Sequence, residues 1–332
     1  MSDSPLTRDN LLLSRTILDS EGLKVAARFA INCTSDIQFT VADCIRDSLS
    51  ENTRAAYLSD LLHFEKWGGT IPATSDTIAA YLAAHVSLNT PATLTRRLAA
   101  LAKVHRSLGF SNPTSAEVVK ATMRGIRRMR GLAQRQATPL VKEDLFVVLE
   151  SMGVRLKDYR DRALLLLGFA GGLRRSELVG LDWEDLVSVR QGLEITLRRS
   201  KTDQNGMGRK IGIPYGKGRW CPVVTVEQWR VSTTQKEGAV FRSIDRHQRI
   251  SELRLSGEAV CLVVRERVKA AGIDAKSYSG HSLRAGLATS AAQARVPSWI
   301  IRQQTGHNSD AMLNRYIRQG SLFLDNASGA LL

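Results

Sequence analysis

The stretch Ser279-Gly-His-Ser-Leu-Arg-Ala-Gly-Leu-Ala288, followed by Gly306-His-Asn-Ser-Asp310 and Arg315-Tyr-Ile317, decides how this chain is read. His281 and Arg284 stand one helical turn apart, so both occupy one face of a helix. Tyr316 follows His307 by nine residues and falls on a helix of its own. Two stretches upstream belong with these. Gly171-Gly-Leu-Arg-Arg-Ser-Glu-Leu178 sets Arg174 and Glu177 a turn apart at a helix start, where the acid can hold the guanidinium in one orientation. Ser200-Lys-Thr-Asp203 puts Lys201 on a hairpin. Taken singly, each has an ordinary explanation: a surface ion pair, a solvated lysine, a helix cap, a core tyrosine with a wet hydroxyl. Together they supply two guanidinia, one ammonium, two imidazoles and one phenol.

That inventory suits metal-free attack on a phosphodiester. In-line attack spreads negative charge over the equatorial oxygens, and preorganised cations stabilise it. Arginine fits because its planar fork matches phosphate oxygens and its charge does not titrate away. The leaving 5′ oxygen needs a proton, which a lysine or a histidine can donate. The phenol, with a reference pKa of about 10, needs nearby cations and an imidazole base to lose its own. No acidic cluster with metal-binding spacing accompanies these residues, so neither metal nor cofactor is expected.

Charge points the same way. The chain of 332 residues carries 47 Lys and Arg against 32 Asp and Glu, a net +15, which suits a polyanionic partner. Four dispersed cysteines, Cys33, Cys44, Cys221 and Cys261, form no CxxC pair and speak for a reducing compartment and against zinc or a disulfide framework. There is no run of about 18 apolar residues to span a membrane. The polar N-terminus is unlike a signal peptide. The expected location is the cytoplasm, in association with the nucleoid.

The pattern predicts a mainly α chain of two domains. Residues 1–39 read as an N-terminal arm and 40–130 as a helical bundle. In the bundle, Ser50, Thr53, Tyr57, Leu61, Phe64 and Trp67 recur at helical steps up to Gly68-Gly69. Further helices are expected over Ser75–Ser87, Pro91–Leu108 and Ser115–Met129. From Arg96 to Arg135 there are ten basic residues and one acid, Glu117. A face of one sign reads as a phosphate-tracking surface, and Thr93, Arg96, Arg97, Lys103, Arg106, Arg124 and Arg127 are its candidate DNA contacts. Residues 131–139 lack apolar periodicity and end in a proline, as a linker does. Residues 140–332 form the second domain. It is mostly α, with helices over Val141–Met152 and Arg160–Ala170 and others near Val224, Ser256, Leu283, Ser298 and Asp310. A small antiparallel sheet is inserted early, Leu193–Leu197 pairing with Arg209–Pro214 across a turn at Asn205-Gly206.

The series Arg174, Lys201, His281, Arg284, His307, Tyr316, with Glu177, resembles the active-site series of the tyrosine recombinase (phage integrase) family, and the match runs almost the full length. Leu101–Phe110, Met123–Arg128 and Ser279–Ala288 resemble its Cre-like branch in wording and spacing. His307 departs from Cre itself, which carries tryptophan there, and agrees with most of the family. The resemblance implies a helical core-binding domain and a catalytic domain forming a C-shaped clamp on double-stranded DNA. It implies a homotetramer that synapses two sites and exchanges strands through a Holliday junction. It further implies Tyr316 as nucleophile, Arg174 and Arg284 on the phosphate, Lys201 as general acid, His281 in proton transfer and His307 donating to a non-bridging oxygen. The tail from Gly320, with Leu322, Phe323 and Leu324, is expected to dock on a neighbouring protomer. Two other readings use some of the same residues. A type IB topoisomerase shares the chemistry but usually carries long clamp insertions, which are not visible here. A non-catalytic DNA-binding protein would have no reason to fill every active-site position with a competent residue.

Overall fold

The computed structural model describes residues 49–131, 137–198, 208–233, 235, 237–307, 313 and 316. Among them no helix is long and apolar enough to cross a membrane. The chain divides into two compact units, Met1–Arg135 and Gln136–Leu332.

The first unit contains α1 (Glu51–Lys66), α2 (Ser75–Ala84), α3 (Pro91–Ser107) and α4 (Glu117–Arg130). The first three start in one way. Ser50, Thr74 and Thr90 each accept a hydrogen bond from the backbone N–H of a threonine three residues on, Thr53, Thr77 and Thr93. Such caps satisfy N–H groups that the helix leaves open, each worth about 1 kcal/mol. Gly68, in the left-handed region at φ 104°, turns the chain out of α1. Leu61, Phe64, Ile78, Tyr81, Leu82, Leu94, Leu101, Val119, Met123 and Ile126 close the core. Helix α2 ends at Ala84, ahead of the expected Ser87, and α4 begins at Glu117 because Pro113–Ser115 is a separate 3-10 turn. One side of α4 buries Val119, Met123 and Ile126, while Arg124, Arg127, Arg128 and Arg130 are exposed.

The second unit is built around α6 (Leu156–Ala170), preceded by α5 (Lys142–Glu150) and followed by the short α7 (Arg175–Gly180). Strands β1 (Leu186–Val189), β2 (Gly192–Leu197) and β3 (Arg209–Pro214) form an antiparallel sheet in that order, with Leu193 opposite Ile213 and Ile195 opposite Ile211. Helix α8 (Pro222–Thr233) packs on α6. A second hairpin, β4 (Arg242–Ile244) and β5 (Ile250–Arg254), precedes α9 (Gly257–Ala270), α10 (His281–Gln293) and α11 (Ser298–Thr305). Leu313 and Tyr316 are again helical.

Three features differ from expectation. Helix α6 starts at Leu156, four residues before Arg160, because its first turns are charged yet buried. Arg267 of α9 bridges Asp158 at 2.7 Å and Asp161 at 2.6 Å, and Asp161 also holds Arg160 at 2.5 Å. Paired charges can be buried where single ones cannot, and hydropathy does not register the difference. Strand β1 and the β4–β5 hairpin are additional; β1 has four residues, and β4 and β5 have no buried residue. At the linker, Thr138 N–H donates to Ser277 O and Leu140 N–H to Ser282 O, both at 2.9 Å, so its last residues lie on the second unit. The N-terminal arm, Lys201 with its Asn205-Gly206 turn, and the tail from Gly320 lie outside the described residues.

Candidate active site

The carbonyl end of α11 organises the site. The helix stops because Gly306 adopts the left-handed conformation at φ 64°, where glycine is at ease. A Cβ there would collide with the Arg209 guanidinium. The turn leaves the carbonyls of Gln303 to Gly306 without helical partners, and three arginines take them. Arg209 donates to Gln303 O (3.2 Å), Gln304 O (3.1 Å) and Thr305 O (3.3 Å). Arg174 donates to Gly306 O at 3.1 Å. Arg284 donates through Nη1 to Thr305 O and to Gly172 O (2.8 Å). Cations at a helix C-terminus complement its dipole.

Arg174 is also held from behind. Glu177, 4% exposed, accepts from the Arg174 backbone N–H at 2.8 Å and from its Nη1 at 2.5 Å, forming the capping box of α7. Arg209 comes within 3.9 Å of the same carboxylate. Arg284 is 1% exposed and its Nη2 has no partner among the described residues. Burial, with Arg174 nearby, pushes its guanidinium down to about 10, so it remains charged at neutral pH.

Several positions of the Ser279–Ala288 stretch have a structural reason. Ser279 Oγ accepts from the His281 N–H at 3.2 Å and Ser282 Oγ from the Ser279 N–H at 2.9 Å, fixing the start of α10. Leu283 enters the core, and Gly286 lies against the Leu140 carbonyl with no room for a Cβ. His281 Nε2 lies 2.6 Å from the Tyr316 hydroxyl. Although one edge of His281 reaches solvent, burial of the ring, then Arg284, Arg174 and Arg175, holds its imidazole below the ordinary histidine range. The ring is therefore neutral at neutral pH and can accept the phenol's proton. Leu313, buried with Ala288, Ala292 and Ile301, completes a small apolar cluster on which Tyr316 packs. His307 is 4% exposed, with Nδ1 2.7 Å from Thr305 Oγ1 and Nε2 without a partner among the described residues. Burial first, then Arg284 and Arg174, pushes it down to about 3.

Six of the seven residues singled out by sequence thus converge: Arg174, Glu177, His281, Arg284, His307 and Tyr316. Lys201 lies outside the described residues. Sequence reasoning missed Arg209 and Thr305. Arg209 opens β3 as an ordinary strand residue, and Thr305 is marked only by standing two places before His307.

In the bundle, Arg97 needs correction. It is 7% exposed, with its guanidinium 3.6 Å from buried Asp60 and over the Tyr81 ring, so it supports the core and does not share the exposed basic face. Arg96, half-exposed, pairs with Asp60 at 2.9 Å. The Thr93 hydroxyl lies 3.0 Å from that of Thr90 in the α3 cap, and Lys103 is half-buried. Arg106, Arg124 and Arg127 are exposed, Arg124 pairing with Glu117.

Residues 141–321 match the phage integrase family, more than half of the chain. The chain belongs to this family. It is a tyrosine-type site-specific DNA recombinase. Over 293 residues it is 39% identical to an integrase/recombinase xerD homolog of Selenomonas ruminantium, covering 85% of this chain and 86% of that protein. Identity to recombinase cre of Escherichia phage P1 is 25% over 331 residues, covering 91% and 94%, well below the 39% to the xerD homolog, so the expected place in the Cre-like branch is only weakly supported. Among solved structures, a lambda integrase tetramer bound to a Holliday junction aligns with a TM-score of 0.64 at 16% identity over 98% of this chain and 81% of that one, a likeness of fold.

Proposed function

We propose that this recombinase cleaves DNA with Tyr316, holds the 3′ end as a phosphotyrosine and rejoins it to a second strand, exchanging strands through a Holliday junction within a homotetramer. One observation carries the reading: the Tyr316 hydroxyl lies 2.6 Å from His281 Nε2, in a cluster whose Arg284 keeps a buried Nη2 with no partner among the described residues. A buried donor without a partner is costly, and a phosphate oxygen would satisfy it. In the step proposed, the phenol oxygen bonds to phosphorus as its proton passes to His281, and the 5′ oxygen leaves with a proton from Lys201. One phosphodiester is exchanged for another, so no outside energy source is needed. Arg174, braced by Glu177, and Arg284 hold the charge that develops. Support for the assembly comes from the lambda integrase structure, whose protein forms a tetramer on a Holliday junction. The exposed arginines of α4 serve the same reading as phosphate contacts of a core-binding domain.

The test begins by sequencing DNA captured covalently on the protein in its native cells, which supplies the site. A nicked suicide substrate built on that site should give a covalent adduct on a denaturing gel in EDTA as readily as without it. Activity lost in chelator and restored by magnesium would overturn the reaction class. Plasmid relaxation without recombinant products would overturn the strand exchange.

A further inference from the structure

The environment of Thr305 determines where His307 carries its proton. Thr305 Oγ1 lies 2.7 Å from Ile301 O and 2.7 Å from His307 Nδ1. A carbonyl oxygen has no hydrogen to give, so the proton between the two oxygens is the hydroxyl's own. A hydroxyl has one proton and, having used it there, can only accept from the histidine. Nδ1 therefore bears the hydrogen. In a neutral imidazole the other nitrogen is then a bare lone pair, and Nε2 is buried without a partner.

We propose that Thr305 is a positioning residue that locks His307 in the Nδ1–H tautomer, so that Nε2 becomes a hydrogen-bond donor to the DNA phosphate only by taking up a proton as the phosphate arrives. The groups around His307 agree with this. Arg284, Arg174 and Arg209 oppose a charge on the ring, and so does His281 once it holds a proton, with Glu177 behind Arg174 and Arg209 and the Tyr316 ring centroid 5.9 Å away. In the free protein an imidazolium is disfavoured there. A phosphodiester anion beside Arg174 and Arg284 changes that balance, because its charge offsets theirs. The site thereby links donation by His307 to the presence of an anion. A neutral Nε2–H tautomer would donate whether or not a proton was available.

The catalytic consequence rests on the function proposed above; the tautomer does not, and the two are measured separately. In the full-length chain labelled with 15N-histidine, long-range 1H–15N correlations distinguish the tautomers, and His307→Gln assigns the resonance among the six histidines. The free wild type and Thr305→Ser should show Nδ1–H. Thr305→Val, nearly the same shape without the hydroxyl, should gain Nε2–H. An Nε2–H signal in the wild type, or a valine variant with an unchanged tautomer, would overturn the proposal. The second measurement is the rate of suicide-substrate cleavage against pH. Wild type and Thr305→Ser should lose the contribution of His307 as pH rises, a fall on the order of 10²-fold for a lost transition-state donor. Thr305→Val should lose that fall, having a donor that needs no added proton. A valine variant slowed equally at every pH would show a merely structural hydroxyl and overturn the proposal. Absence of cleavage in the wild type would count against the proposed reaction and leave the tautomer result standing.

Discussion

At the scale of single residues, the site is a set of cations whose hydrogen bonds are used up on the protein side and open on the other. Arg174, Arg209 and Arg284 share the carbonyls at the end of α11, and Arg209 Nε, Arg284 Nη2 and His307 Nε2 are buried with no partner among the described residues. Such a site is preorganised, with little to rearrange when charge develops. His281 gives a pH prediction. Its imidazole must be neutral to accept the Tyr316 proton, and it is neutral above its pKa. Burial, the nearby arginines and its place as first residue of α10 all lower that pKa. Cleavage of the suicide substrate should show no loss as pH falls through 6.5, the ordinary histidine value, and decline only below it. A rate half lost on acidification at or above that pH would show that His281 is not the group accepting the proton.

At the scale of elements, the bundle depends on a charge it conceals. Asp60 of α1 is buried and faces both Arg96 and Arg97 of α3; burial pushes its carboxyl up, against the opposing pull of the two arginines. Asp60→Ala would leave the Arg97 guanidinium buried without its counter-ion, a loss of about 3–5 kcal/mol. Thermal unfolding of the full chain should show a transition moved to markedly lower temperature, and an unchanged melting curve would mean that Arg97 finds another partner. The same residues mark where sequence reading failed. A run of arginines along α3 and α4 looks like one basic face, but helical phase turns Arg97 inward, toward an acid 37 positions earlier. Helix α6 hid its first turn for the same reason, because its buried carboxylates find Arg267 on α9. What is legible locally is the cap, the apolar stripe and the glycine turn; which charges pair across elements is a product of the tertiary fold. The site was readable because its residues are of unusual types and follow one another in a fixed order. Arg209 and Thr305 were not, since their work is to hold other residues and hydrogen-bond partners leave no spacing signal.

At the scale of the whole molecule, a net charge of +15 predicts binding governed by phosphate contacts and counterion release. Arg127 and Arg128 are exposed on α4, and Arg127 reaches across to the Thr95 hydroxyl of α3 at 3.4 Å. Replacing both with alanine should weaken DNA binding by a similar factor for every sequence. The slope of log K against log salt should become shallower by about 0.9 for each phosphate contact removed. An unchanged slope would remove α4 from the DNA interface. Tyr316 is the group proposed to take the DNA. The most direct test traps the adduct on a nicked suicide substrate, digests it with nuclease and trypsin, and reads by mass spectrometry which residue carries the nucleotide, alongside a Tyr316→Phe chain that binds the same DNA. The prediction is a nucleotide on the peptide Tyr316–Arg318 in the wild type and no adduct in the variant at nearly unchanged affinity; an adduct that persists in the variant, or that maps to another residue, would contradict it.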